Sequence, residues 1–234
     1  MRRDFPEVIE LGGPGIEMPW GDDWQTEEVI ALLEPMVQPA RQERINRVLD
    51  ARLSSVTILL DAPHDPHNGA AILRSADAFG VQCVHVVPRE ESFQASPNIA
   101  KGTERWVDVI RHTKPESAAE GLKAEGYQLV ATHPEGRLRP ADLRDLPKFA
   151  LIMGNEHDGI RPEIEKHVDQ TVQIPMVGFV ESLNVSVSAA ILLHAGTLNR
   201  PGDLPDSLKR RLYARGLYRS INRGKEVLEG ARAR

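Results

Sequence analysis

The sequence predicts an α/β fold, a mostly parallel sheet with helices on both faces. Short apolar runs read as strands at Val56–Leu60, Cys83–Val87, Trp106–Ile110, Gln128–Ala131, Phe149–Met153 and Thr171–Ile174. Segments with helical spacing separate several of them, at Gly69–Gly80, Glu116–Glu125 and Arg161–His167. Strands that alternate with helices pair in parallel, because each crossover carries the chain back to the same end of the sheet. The β-branched run Val56–Leu60 has the composition of a strand buried on both faces.

Residues 1–40 hold Gly12, Gly13, Pro14, Gly15, Pro19, Gly21, Pro35 and Pro39 and sustain no period. They read as an acidic, flexible extension with one short helix near Thr26–Leu33, docked through Trp20 and Trp24. Residues 41–200 form the expected main domain. It leads with an amphipathic basic helix, Arg41–Arg52, in which Ile45, Val48 and Leu49 fall at helical spacing among four arginines. After the first strand, the loop DAPHDPHN feeds a helix with Ile72, Ala76 and Phe79 on one face and Ala70, Arg74 and Asp77 on another. Glu90–Thr103 reads as a loop with room for a short helix. Phe149–Met153 runs into the turn GNEHDG. Gln173–Ala195 begins apolar, meets Pro175 and Gly178, and re-forms as a helix opening at Ser182, whose hydroxyl is placed to cap it. Residues 201–234 are a closing basic extension, helical over Leu208–Glu229.

The opening MRRDFPEVIELGG lacks the apolar core of a signal peptide, and no apolar run reaches the about 20 residues of a membrane span. With Cys83 as the single cysteine, no internal disulfide is available, and a cytoplasmic location is expected. The net charge of -5 hides a split. Residues 1–40 carry two basic and nine acidic side chains, whereas residues 201–234 carry nine basic and four acidic. Residues 41–60 add four arginines against two acids. Basic flanks around a neutral body suit phosphate contact. They equally describe solvated helix faces.

Three polar clusters follow strands, where open α/β sheets bind ligands. They are His67-Asn68 with Arg74, Gly154-Asn155-Glu156, and Ser182-Leu183-Asn184. Arg74 has the chemistry to grip a phosphate or carboxylate in bidentate fashion, or to pair with Asp77 one turn on. Asn68 is placed either to cap its helix or to bond a substrate. His64 and His67 flank Pro66 and lack a third ligand at metal-binding spacing, so no metal is expected. There is no Walker loop, no Gly-x-Gly-x-x-Gly after a first strand and no nucleophile elbow.

Together, HNGAAILRSADAFGV, LIMGNEHDGI and IPMVGFVESLNVSVSAAI resemble motifs 1, 2 and 3 of the SpoU/TrmH family of SPOUT RNA 2′-O-methyltransferases, over about Arg41–Ala195. The flanking basic segments resemble those of its tRNA branch, while residues 1–40 match nothing in it. The resemblance implies a C-terminal deep trefoil knot, a homodimer and S-adenosyl-L-methionine as cofactor. It places the cofactor on Thr132, Gly154, Ile174, Met176 and Leu183, and the catalytic set on Arg74, Asn68, Glu156, Ser182 and Asn184. It implies methylation of the ribose of guanosine-18 in the tRNA D-loop. Ribosomal RNA is the alternative substrate, and a turnover-deficient RNA-binding protein of the same fold is the rival reading. Arg74 would grip the target phosphate and polarise the ribose hydroxyl, since a guanidinium resists deprotonation. The final proton acceptor is left unassigned. Three departures stand out: Gly69 after Asn68, His157-Asp158 after the motif 2 glutamate, and KGTERWVDV, which only partly fits the family's Gly/Ser-rich stretch.

Overall fold

The structure is a computed structural model that describes residues 9–10, 18–88, 106–155 and 158–232. Glu156, the Glu90–Thr103 segment and much of the first 17 residues lie outside the described residues. In chain order the strands are β1 (Ile9–Glu10), β2 (Val56–Asp61), β3 (Cys83–Val87), β4 (Asp108–Arg111), β5 (Gln128–Thr132), β6 (Phe149–Met153) and β7 (Gln170–Val172). The helices are α1 (Thr26–Leu33), α2 (Pro39–Asp50), α3 (Pro66–Ala78), α4 (Pro115–Ala124), α5 (Pro162–Glu165), α6 (Val185–Thr197), α7 (Asp206–Ser220) and α8 (Gly224–Arg232).

The strands form one sheet in the order β1-β4-β3-β2-β6-β5-β7, and the neighbouring strands pair in parallel. The central strands β2 and β6 are buried at every position, which accounts for their unbroken apolar character. One core joins Leu59, Val87, Leu129, Ala131 and Ile152 of the sheet to Ala118 and Leu122 of α4 and Ile164 of α5. Elsewhere α6 packs closely on Phe149: a Cβ on Gly196 would lie 2.7 Å from the Phe149 ring. Helix α3 starts at the cap Asp65, whose carboxylate accepts from the His67 N–H at 2.8 Å. It closes into Gly80 at φ 81°, a left-handed position suited to glycine.

The chain divides into two compact units. One is β1 with Ser54–Arg200; the other comprises the described residues within Pro14–Leu53 and Pro201–Arg234. This partition differs from the one expected at residues 40 and 200. The basic helix α2 belongs with the terminal helices, and much of the supposedly flexible extension is folded. The reason is packing: Val29, Ile30 and Leu33 of α1 join Ile45, Leu49, Leu212, Ala214, Leu217 and Leu228 in a core of their own. Trp20 and Trp24 pack against that core, with the Trp20 ring edge-on to Tyr218 at 5.8 Å. The single closing helix expected over Leu208–Glu229 is two helices, interrupted where Arg223 adopts φ 65°. The strand ends also shift: β4 begins at Asp108 rather than Trp106, and β7 ends at Val172 rather than Ile174.

Candidate active site

The three clusters follow β2, β6 and β7, and the strand order sets these strands close together with only β5 between β6 and β7. Because the strands are parallel, their following loops leave from the same edge of the sheet. Two clusters meet directly: Asn184 Nδ2 donates to Asn68 Oδ1 at 3.0 Å. Asn184 is also the N-cap of α6. Its Oδ1 accepts from the Ser186 N–H at 2.8 Å and from Ser186 Oγ at 2.6 Å.

This corrects two expectations. Ser182 does not cap the helix, which opens at Val185 instead; Asn184, with a longer acceptor arm, takes that place. Asn68 does not cap α3, because Asp65 already does. Ser182 lies exposed in the loop before the cap. Arg74 is exposed on α3, about 9 Å along the axis from Asn68 by helical rise. The alternative ion pair with Asp77 does not form, and no other described carboxylate pairs with Arg74.

The loop after β6 folds back on itself. Asn155 and Gly159 exchange main-chain hydrogen bonds at 2.9 and 3.0 Å. A Cβ on Gly154 would lie 2.5 Å from the Gly159 carbonyl carbon, so only glycine fits there. The buried Asn155 side chain donates to the Ala62 carbonyl at 2.7 Å. At the far end of the loop, Arg161 binds Asp61, the last residue of β2. Its main-chain N–H reaches one carboxylate oxygen at 2.7 Å and its Nε reaches the other at 2.5 Å. Arg161 Nη2 donates to the Val87 carbonyl at 3.1 Å.

Sequence reasoning missed the loop after β5, which lies against the end of β7. The His133 N–H bonds the Val172 carbonyl at 3.0 Å, Leu138 N–H bonds Thr171 at 2.9 Å, and Gln173 N–H bonds Leu138 at 2.9 Å. Gly136 permits this approach, since a Cβ there would come within 2.4 Å of the Val172 carbonyl carbon. The glycine in HPEGRLRP was the available signal.

The expected cofactor residues fall on neighbouring strand ends. Thr132 closes β5 and pairs in register with Val172, Gly154 follows β6, and Ile174 follows β7. Met176 and Leu183 stand 38% and 36% exposed, and Val177, Phe179 and Val180 are fully or largely uncovered.

The largest titration shifts lie elsewhere in this unit. His85 Nδ1 and His112 Nε2 are 2.8 Å apart in a buried, stacked pair on β3 and at the end of β4. Burial, then the neighbouring His112, pushes His85 down to about 3, and burial pushes His112 down to about 4. Glu116, Glu120 and His167 place potential ligand atoms within 4.8 Å of one another, but the Lys166 ammonium already pairs with Glu116 there.

A family model described as the SpoU rRNA Methylase family matches residues 55–194. The chain belongs to that family. It is 35% identical over 194 residues to the tRNA (guanosine(18)-2′-O)-methyltransferase of Escherichia coli K12, covering 78% of this chain and 84% of the relative. Its fold superposes on the Aquifex aeolicus TrmH/SpoU tRNA modifying enzyme with a TM-score of 0.70 at 27% identity, covering 79% of this chain and 98% of that one. It also resembles the SpoU methyltransferase AviRb from Streptomyces viridochromogenes, solved with the cofactor AdoMet, at TM-score 0.55 and 28% identity. That likeness covers 62% of this chain and 60% of AviRb. The three stretches that resemble motifs of this family all lie within the matched span.

The donor set at this edge suits S-adenosylmethionine. A ligand with a purine, a ribose and a charged amino-acid tail needs close main-chain polar groups beside apolar cover. The main chain at the strand ends Thr132, Gly154 and Ile174 would supply the first, and the exposed Met176 and Leu183 the second. Among the described residues, no helix is long and apolar enough to cross a membrane.

Proposed function

We propose that this chain methylates the ribose 2′-hydroxyl of guanosine-18 in the D-loop of tRNA, using S-adenosylmethionine. The observation that carries the reading is the Asn184–Asn68 hydrogen bond. It joins the helix bearing Arg74 to the segment bearing the cofactor positions. The E. coli relative named for this reaction aligns over most of its length, which favours tRNA. The family description favours ribosomal RNA as the second reading.

When bound, S-adenosylmethionine supplies an electrophilic methyl group on a positively charged sulfur. Thr132, Gly154, Ile174, Met176 and Leu183 would hold it. The reaction then needs an aligned hydroxyl oxygen more than a covalent nucleophile. Arg74 binds the phosphate beside the target ribose and polarises its hydroxyl, remaining a cation throughout. Asn68 and Asn184 fix each other's amides and orient the ribose, with Ser182 as a further donor. Glu156 orders the loop after β6.

The protein acts as a homodimer with a knotted C-terminal part. The knot rests on the family membership; residues 133–138 bond alongside the end of β7, where Leu138 and Val172 form a parallel bridge. Val187 and Ile191 are exposed one turn apart on α6, and Leu183 before its cap and Leu198 at its end are exposed as well, apolar surface that a second copy would cover.

Labelled cofactor mixed with unmodified tRNA and ribosomal RNA, followed by mass-spectrometric mapping, tests the reading. Label at guanosine-18 of tRNA supports it. Label only in ribosomal RNA replaces it with the second reading, and cofactor binding without transfer to either RNA overturns both.

A further inference from the structure

Asp61 carries a fully buried carboxylate, 0% exposed, at the point where β2 gives way to the segment leading to Asn68 and Arg74. The groups that satisfy this carboxylate come from Arg161, through its main-chain N–H, its Nε and an Nη2 contact. The next residue, Ala62, sits at φ 50°, a left-handed conformation that a side-chain-bearing residue holds only when its surroundings impose it. Its N–H donates to the Val87 carbonyl at 2.8 Å and its carbonyl accepts from Asn155 at 2.7 Å. Val87 also accepts from Arg161 Nη2. Asn155 and Arg161 lie at the two ends of the loop after β6. That loop is therefore gripped at both ends by a single dipeptide, Asp61-Ala62, from which the Arg74-bearing helix departs.

We infer that Asp61 and Arg161 are a positioning pair for methyl transfer. They fix the loop after β6, on the cofactor side, at a set place relative to the α3 segment, on the ribose side. Neither touches the reacting atoms. Each acts by holding Ala62 and the loop ends, and through them the spacing between methyl donor and hydroxyl. Misplacement by about 1 Å costs up to about 100-fold in rate, which is the scale on which such a pair matters. The inference rests on the proposed methyl transfer for its kinetic readout but not for its structural one.

Removing one partner strands a buried charge, so the decisive variant replaces both: Asp61→Leu with Arg161→Met, whose apolar pair tends to preserve stability. Arg161→Lys, which keeps the charge and the main-chain N–H, is the conservative control. Full-length variants are compared with the wild type by thermal midpoint, by steady-state transfer to a tRNA transcript, and by hydrogen exchange across residues 154–160. The double variant is expected to stay folded, lose kcat by at least about tenfold while the KM for tRNA moves less than about twofold, and exchange faster in the loop. Arg161→Lys is expected to recover part of kcat. A folded double variant with wild-type kcat overturns the inference, as does a loss confined to the KM for tRNA. If the wild type transfers no methyl group to any RNA, the reaction assignment fails instead. Loop exchange then decides the pair by itself, an unchanged pattern overturning it and faster exchange upholding it.

Discussion

Acids and bases meet at the surface in the helical unit, whereas in the sheet unit the best-bonded carboxylate is buried. Glu27 of α1 takes a two-pronged bond from Arg210 of α7 at 2.8 and 2.7 Å, in the open, and that bond holds its carboxyl below the usual range. Asp50 pairs with Lys209 at 3.0 Å, and Arg232 reaches both Asp23 and the Trp24 ring. Exposed pairs of this kind add little to stability. The unit is held by its apolar core, and the acids instead neutralise cations on helices whose sequence suggests phosphate binding. In the sheet unit, Asp61 has no water to fall back on, and Arg161, Val87 and Asn155 form one connected set of bonds around it. The contrast teaches that net charge is a poor guide here: the same residue types cover a surface in one unit and set loop geometry in the other.

Arg74→Ala gives the largest effect and tests the sheet unit's side of the contrast. Transfer should fall by at least about 100-fold, with thermal midpoint and cofactor affinity unchanged, because the removed guanidinium is exposed and its proposed partner is RNA alone. Near-normal transfer would remove Arg74 from the mechanism.

Asn184→Ala comes next. It deletes both the α6 cap, worth about 1 kcal/mol, and the bond to Asn68, and kcat should drop about tenfold. Asn184→Asp separates the two roles, since it keeps the cap acceptor but loses the amide donor. Stability should return without turnover.

The buried histidine pair should contribute to sensitivity to acid. Both folded-state values, about 3 and about 4, lie below the ordinary 6.5, so the unfolded chain binds more protons between them. Their contribution is therefore complete above about pH 6.5 and is lost as pH falls towards 4 and then 3. Denaturation measured from pH 7 to 4 should show this slope, and a His85→Leu/His112→Leu variant should flatten it.

The smallest effect is Glu27→Gln. Its thermal midpoint should barely move, while freeing Arg210 should strengthen tRNA binding and raise the salt slope by about one. Unchanged affinity and slope would mean that the acidic helix does not screen the basic one.

The α/β alternation was visible because apolar runs must be buried whatever the partner: Val56–Leu60 and Phe149–Met153 fell within one residue of β2 and β6. Asn68, Arg74 and Asn184 stood out as polar residues following apolar strands. The cap was misplaced by two residues because Ser182 and Asn184 are both good caps, and only the backbone path after Gly178 chooses between them. Helix α1 was recognised, but its place in a folded unit was not. Its partners on α7 lie about 180 residues away, as the Glu27–Arg210 separation of 183 shows, and a local pattern carries no information about them.

By itself the sequence determined the strand–helix alternation, the charge split and the three motifs, since burial and local propensity act along a few consecutive residues. Tertiary structure alone decided that α1 and α2 share a core with the closing helices, that Asn184 reaches Asn68, and that Arg161 finds Asp61 across a separation of 100 residues. Those bonds depend on strand order and on which loops leave the same edge of the sheet. Both are settled only when the whole chain has found the packing that leaves its buried charge satisfied.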